Sequence, residues 1–251
     1  MTEFDILNTF FDKIYVVTLE RAKERQALFS KNFAGLHYHF FYGQDKNNFS
    51  IDALIQSNIY SESLARKQQR YGKAMTPGQI GCSWSHRMIY EDVIKNNYQK
   101  VLILEDDSFP LHANIHEIKN ILEDLPSDWD LLFFDYFRNE KKEPVKQFWY
   151  HIQHALGGLK WNHTMIKNLY PKKMTSHLSV AGYQQYTNAY AISKNAAMVL
   201  LNLQTPIQFV ADHLLPFAIT NELIKGYISH PKIFGQDSTG ENKTGISFVD
   251  E

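Results

Sequence analysis

The sequence predicts an α/β fold, a Rossmann-like α/β/α sandwich around a mostly parallel central sheet. Three observations predict it. Short β-rich runs alternate with longer amphipathic ones along the chain. One run, Val101-Leu102-Ile103-Leu104, is continuously apolar, as expected of a strand buried on both faces. Three carboxylates, Glu105-Asp106-Asp107, follow it directly. They stand at the carboxyl end of a strand, where open α/β sheets bind their ligands.

The elements follow in order. Lys13 to Leu19 is β-rich and reads as a first, central strand. A helix begins in Glu20-Arg21-Ala22-Lys23-Glu24-Arg25, with Ala22, Leu28, Phe29 and Phe33 as its apolar face and Gly35 as its stop. Tyr38 to Tyr42 is a second short strand, and Gly43-Gln44-Asp45 turns the chain. Ile51 to Arg70 is polar and helical in part. Thr76-Pro77-Gly78-Gln79 is a helix start: Thr76 caps, Pro77 takes the first position and Gln79 completes a capping box. That helix runs to about Asn97. Gly78 and Gly81 in its first turns are unfavourable unless a backbone or ligand approaches closely. After the acidic strand come a helix over 113–124 and a buried strand over Trp129–Asp135.

Residues 136–178 break the pattern. They are rich in Lys, His and aromatics, and read as an insertion flanking the site or as a mobile surface segment. His151 and His154 share a helix face, but no third ligand lies nearby in sequence for a zinc site. Thr187 to Ile192 is a strand, Ser193 caps a helix over Lys194–Asn202, and Pro206 to His213 leads into another helix. Gly226 to Pro231 is the last strand. The tail from Gly235 to Glu251 is polar and expected to be mobile without ligand. The chain has no repeats, low-complexity tracts or convincing linker, so 1–251 reads as one domain.

Composition narrows the function. A net charge of -1 with no long run of one sign argues against a nucleic-acid binder. The single cysteine, Cys82, rules out an internal disulfide framework and favours a reducing compartment. Met1 to Asp12 carries Glu3, Asp5 and Asp12 and no basic cluster, unlike a secretory signal. No apolar run nears the ~20 residues of a membrane helix. The expectation is a cytoplasmic protein, with contact at a membrane surface left open.

The carboxylates carry the chemistry. Side chains alternate along a strand, so Glu105 and Asp107 point one way and Asp106 the other if the strand persists. Three like charges at a core's edge are costly unless a cation neutralises them. A divalent metal carrying phosphate oxygens would do so; a plain solvated loop is the alternative. Arg21 and Arg25 sit at a strand-to-helix junction, suited to a diphosphate or to solvent-exposed pairing with glutamate. Asp45 and Asp135 each follow a strand, and Asp212 sits at a helix start, as a capping residue or more. His86 reads as structural and Cys82 as a small core residue.

The order of landmarks resembles glycosyltransferase family 25, the bacterial lipopolysaccharide or lipooligosaccharide galactosyltransferase-like group. The pieces are Val16-Val17-Thr18-Leu19 with Arg21 and Arg25, Thr76 to Cys82 with Ser85-His86, and Leu104 to Asp107. Trp129-Asp130, Asn188 to Ser193, Pro206 to Asp212 and Pro231 to Gln236 complete them. The resemblance runs from about 13 to 247 and leaves 136–178 uncovered. Gln79 stands where the family has Glu, Thr187-Asn188 where it has Gly-Thr, and Val210-Ala211-Asp212 where it has Pro-Val-Asp.

The resemblance implies a GT-A type fold and an inverting, metal-dependent transfer of a hexose, first of all galactose, from a UDP-sugar to an oligosaccharide or glycolipid. Mn²⁺ or Mg²⁺ would sit on Asp107 with Glu105 or Asp106, and His230 as a further ligand. Thr18, Leu19, Arg21, Arg25, Asp45 and Gln79, with Glu105 and Asp106, would face the nucleotide. Asp212 is the expected base and Asp135 its runner-up. A metal-dependent phosphohydrolase or phosphotransferase on the same strand end is a second class, and lacks its Asp-x-Asp-x-Thr motif here. A non-catalytic sugar-binding relative is a third.

Overall fold

The computed structural model describes residues 2–69 and 72–237. The predicted mobile tail lies outside these residues from 238 on. Its first residues are strand.

The chain opens with α1 (Glu3–Phe10), started by a Thr2–Asp5 capping box, then β1 (Lys13–Thr18), α2 (Lys23–Asn32) and β2 (His39–Tyr42). Two short helices, α3 (Ile51–Gln56) and α4 (Glu62–Gln68), precede the long α5 (Pro77–Lys95). The predicted capping box of α5 is present, from Thr76 and Gln79. Then come β3 (Lys100–Glu105), β4 (Ser108–Pro110), α6 (Ile118–Asp124) and β5 (Leu131–Phe133). The predicted 113–124 helix is α-helical only from Ile118, after a 3-10 turn over Ile115–Glu117.

The unassigned segment is structured. It holds α7 (Pro144–Ala155), α8 (His163–Lys167), β6 (Lys172–Lys173) and β7 (Leu178–Val180). The chain closes with β8 (Ala189–Ser193), α9 (Lys194–Leu203), α10 (Ala211–Thr220), β9 (Gly226–Ser229) and β10 (Phe234–Gln236).

Eight strands form one sheet in the order β2-β1-β3-β8-β5-β9-β7-β6. Six run the same way, and β8 and β7 oppose them. The sheet is therefore mostly parallel, as expected, but the predicted strand at 187–192 enters it antiparallel, between β3 and β5. A separate antiparallel ribbon joins β10 to β4, directly after the acidic triplet.

Alternation along the strands explains the three layers. In β3, Leu102 and Leu104 face a core shared with Leu7, Phe11, Phe29, Phe33, Ile118 and Ile121, from α1, α2, α6 and flanking residues. Val101 and Ile103 face the opposite core, with Ile89 and Val93 of α5, Leu200 of α9 and Leu215 of α10. A strand apolar at four successive positions thus serves two helical layers. Leu28, expected on the core face of α2, is 46% exposed; Ala22, Phe29 and Phe33 are buried as predicted.

Candidate active site

A pocket opens at the carboxyl ends of β1, β2 and β3, against the first half of α5. Thr18, Leu19, Arg21, Arg25, Gly43, Gln44, Asp45, Cys82, His86, the acidic triplet and Gln236 line it. Two glycines allow the close approach. A Cβ on Gly81 would lie 2.5 Å from the Gln44 carbonyl oxygen, and one on Gly43 would lie 2.4 Å from Ser85 Oγ. Ser85 Oγ ties the same turn down, accepting from the Gln44 amide at 2.8 Å and donating to the Gly81 carbonyl at 2.7 Å. Gly81→Ala is therefore expected to push the Asp45 turn off α5 at a cost of about 1–3 kcal/mol, read as a lower urea midpoint with unchanged slope.

The triplet splits as alternation predicts. Asp106 turns inward: it accepts from Thr18 Oγ1 at 2.6 Å and pairs with Arg25 at 2.6 Å. Arg25 also reaches Asp107 at 2.8 Å. Glu105 and Asp107 face the other way and converge on the amide of Gln236. Its Nε2 lies 3.4 Å from Glu105 Oε2 and 3.2 Å from Asp107 Oδ2. On its other oxygen Glu105 accepts from Thr187 at 2.5 Å and stands 3.7 Å from His86 Nε2. Burial pushes Asp106 up to about 7, against the pull of Arg25 and Thr18. Burial also raises Glu105, but His86, Thr187 and Arg25 together outweigh it and hold that carboxyl below the ordinary range.

These residues fit a divalent cation. Glu105 and Asp107 point hard oxygen donors at a single nitrogen-bearing group, the place a cation would take. His86 Nε2 is buried with no hydrogen-bond partner among the described residues, while its Nδ1 contacts the Tyr190 hydroxyl at 2.7 Å. Donor atoms of Cys82, His86 and Glu105 all lie within 4.8 Å of one another. Carboxylates such as Glu105 and Asp107 suit Mg²⁺ or Mn²⁺, whereas the imidazole and thiol of the three-donor set suit softer ions such as Zn²⁺.

Cys82 is thus in the pocket wall rather than only in the core. Burial, with the negative charge of Glu105, Asp212 and Asp107, raises its thiol well above the usual value and so disfavours the thiolate. Cys82 and His86 are four apart on α5, and that spacing was the available signal for both. Thr187 and Gln236 also hold the carboxylates. They stood in or beside the quoted motifs, but a neutral side chain announces no role from sequence.

Other expected residues are distributed unevenly. Arg21 and Asp45 pair at 2.6 Å at the pocket's rim. Partial burial raises Asp45, but the Asn47 amide and Arg21 outweigh it and lower the carboxyl. Gln79 does not line the pocket, because its Oε1 is spent accepting from the Thr76 amide at 3.0 Å. His230 does not line it either. Its Nδ1 meets the Tyr136 hydroxyl at 3.1 Å and its Nε2 meets Ser179 Oγ at 2.9 Å, so both nitrogens are engaged, one by a residue just after β5 and one by a residue of β7. Asp135 is buried behind Asn188, accepting its amide at 2.7 Å, and burial pushes it up to about 6.

Asp212, in the first turn of α10, lies beside the triplet. Thr187 Oγ1, which serves Glu105, is 3.3 Å from Asp212 Oδ1. Burial and the Glu105 charge push Asp212 up to about 6. The next residue, His213, borders a second cavity of about 500 Å³ together with Arg138, Lys146, Tyr150, Trp161 and Tyr183. One space is walled by carboxylates and the other by aromatic and cationic side chains.

The histidines of α7 do meet a third imidazole, which sequence distance hid. His151 Nδ1 lies 3.2 Å from His163 Nδ1, and the His154 ring packs edge-on against His163 at 4.5 Å. Among the described residues, though, the three-donor set within 4.8 Å is that of Cys82, His86 and Glu105.

A glycosyltransferase 25 family member of Aedes aegypti is 28% identical over 87% of this chain and 33% of its own length. Procollagen galactosyltransferase 1-A of Xenopus laevis is 23% identical over 88% of this chain and 33% of its own. An inactive glycosyltransferase 25 family member 3 of Homo sapiens is 26% identical over 88% and 34%. The chain spans about a third of the length of these relatives. A solved apo structure, mouse xyloside xylosyltransferase 1, matches at 12% identity over 84% of this chain and 62% of that one. Its TM-score of 0.33 is too low to bear on the fold. The family model described as "Glycosyltransferase family 25 (LPS biosynthesis protein)" matches residues 11–215, which span β1, the acidic triplet and Asp212. With most of its length inside that match, the chain belongs to glycosyltransferase family 25.

Proposed function

We propose that this protein is a metal-dependent, inverting hexosyltransferase with a UDP-sugar donor, UDP-galactose first, acting on a saccharide of a lipopolysaccharide, lipooligosaccharide or related surface glycan. The observation that carries the reading is the convergence of Glu105 and Asp107 on one point beside half-buried Asp212. A cytoplasmic site of action goes with it.

In this reading the nucleotide lies along β1 and β2, against Thr18, Leu19, Arg21 and Asp45. Glu105 and Asp107, with His86 beside them, would hold the Mn²⁺ or Mg²⁺, which when bound supplies positive charge to the leaving diphosphate. The acceptor enters from the cavity of Trp161 and Tyr183, whose rings suit stacking on a sugar face. Its hydroxyl oxygen attacks the anomeric carbon as the bond from that carbon to the diphosphate oxygen breaks. UDP leaves with the electron pair, and the hydroxyl proton passes to Asp212. One displacement inverts the anomeric centre. A carboxylate near pKa 6 is a competent base at neutral pH, mostly ionised yet basic enough to take the proton.

The test is a thermal-shift panel of UDP-galactose, UDP-glucose, UDP-N-acetylhexosamines and UDP, each with Mn²⁺ and with a chelator. A ligand at 100 times its dissociation constant stabilises by roughly 2.7 kcal/mol. A shift with one UDP-sugar that disappears with chelator is expected. No shift with any of them, from folded protein, would remove the donor assignment and favour a non-catalytic relative.

A further inference from the structure

Helix α7 is built inside out. Its polar and ring-bearing side faces the protein: Gln147 Nε2 donates to the Ile166 carbonyl at 2.6 Å, Tyr150 packs edge-on against Trp161, and His151 and His154 meet His163. Its apolar side faces outward. Val145 is 72% exposed, Phe148 63%, Trp149 56% and Leu156, at the carboxyl cap, 81%. With Ile152 these residues recur at i, i+3, i+4, i+7 and i+11, one stripe about 100° wide. None of the helix's residues is buried. An amphipathic helix in a soluble domain ordinarily turns such a stripe inward.

Charge is distributed to match. Residues 136–178 hold eight Lys and Arg against two Glu, while the whole chain carries a net charge of -1. Lys141 and Lys142 lie just before the helix, separated from it by Glu143, and are exposed. Lys167 borders the groove beside Phe148. A projecting stripe of Phe, Trp, Val and Leu, edged by lysines, has the composition of a helix that lies in a bilayer interface. Lysines there meet anionic headgroups, and Trp suits the boundary between headgroup and acyl chain.

We propose that the outer face of α7 docks on an anionic lipid surface, with Val145, Phe148, Trp149, Ile152 and Leu156 inserted and the lysines on the headgroups. The contact is peripheral: among the described residues no helix is long and apolar enough to cross a membrane. The same helix borders the second cavity through Lys146 and Tyr150. Docking would therefore set that cavity at the bilayer surface, within reach of a saccharide carried on a lipid. The docking itself needs no transferase activity and is tested without it.

The test is co-sedimentation of the whole chain with vesicles of phosphatidylcholine alone and of phosphatidylcholine with phosphatidylglycerol, at low and physiological salt. Binding to the anionic vesicles is expected, weaker at higher salt. Phe148→Ser with Trp149→Ser should abolish it without changing the thermal midpoint, because both side chains are already exposed. Lys141→Gln and Lys142→Gln should each weaken it roughly fivefold. In the wild type, vesicles should blue-shift tryptophan emission, and Trp149→Phe should remove that shift. No sedimentation at low salt, or sedimentation untouched by the double serine variant, would overturn the proposal. So would a concentration-dependent dimer, seen by gel filtration, that the double variant dissolves; the stripe would then belong to a second copy.

Discussion

Asp107→Ala is expected to reduce transfer by about a thousandfold or more, equivalent to about 4 kcal/mol of transition-state stabilisation. It should also abolish metal-dependent UDP binding. The fold should survive. Arg25 keeps Asp106 as its partner at 2.6 Å, so no buried cation is stranded, and Gln236 keeps Glu105 within 3.4 Å. Asp106→Ala should behave differently. It removes the acceptor of Thr18 and the inner partner of Arg25, both in a largely buried setting. Its loss should lower the melting temperature as well as the activity. Measuring kcat/KM and thermal midpoint for both variants separates a ligand-holding carboxylate from a structural one. Normal transfer by Asp107→Ala would refute the assignment of the triplet.

Asp212→Asn is expected to lower kcat by about 10²–10⁴-fold while leaving UDP affinity within a few-fold, because a positioned base acts on the acceptor proton and not on the nucleotide. Equal losses in both would mean that Asp212 binds or braces. The wild-type pH profile gives an independent check. Burial and the Glu105 charge raise Asp212 to about 6, so its charged form, the base, is depleted as pH falls through that value. A group titrating at 6 is ionised roughly ten times less at pH 5 than at pH 7, so kcat should fall by about that factor across the interval. An acidic limb near 4, the range of an unperturbed carboxylate, would point to a different base.

The two cores, the capping box of α5 and the split of the triplet were legible because each rests on local physics. Four successive apolar residues need two apolar surroundings, and Thr76 with Gln79 satisfies orphan amides without help from elsewhere. What stayed hidden depends on distant chain. Arg25 could not be matched to Asp106 and Asp107 from sequence, since they lie 81 and 82 positions on and its neighbour Glu24 offered a local partner. The engagement of His230 by Tyr136 and Ser179 is likewise a product of how β9 packs against its neighbours. The direction of β8 was beyond reach for a related reason. A strand of Ala, Tyr and Ile is equally apolar either way, and only its partners at β3 and β5 fix its sense.

The way 136–178 is tied into the sheet bears on how such enzymes diversify and how they can be recombined in the laboratory. The stretch is stitched at both borders: Phe137 bridges to Gln185, and β7 pairs along β9. Between the stitches, α7 projects with no residue in the core. An exchangeable cassette would therefore run from about 140 to 160, and a graft reaching past β7 would unzip the sheet's edge. Chimeras cut inside that window should keep the parent's pocket at the ends of β1, β2 and β3 while taking the outer surface of the guest's helix.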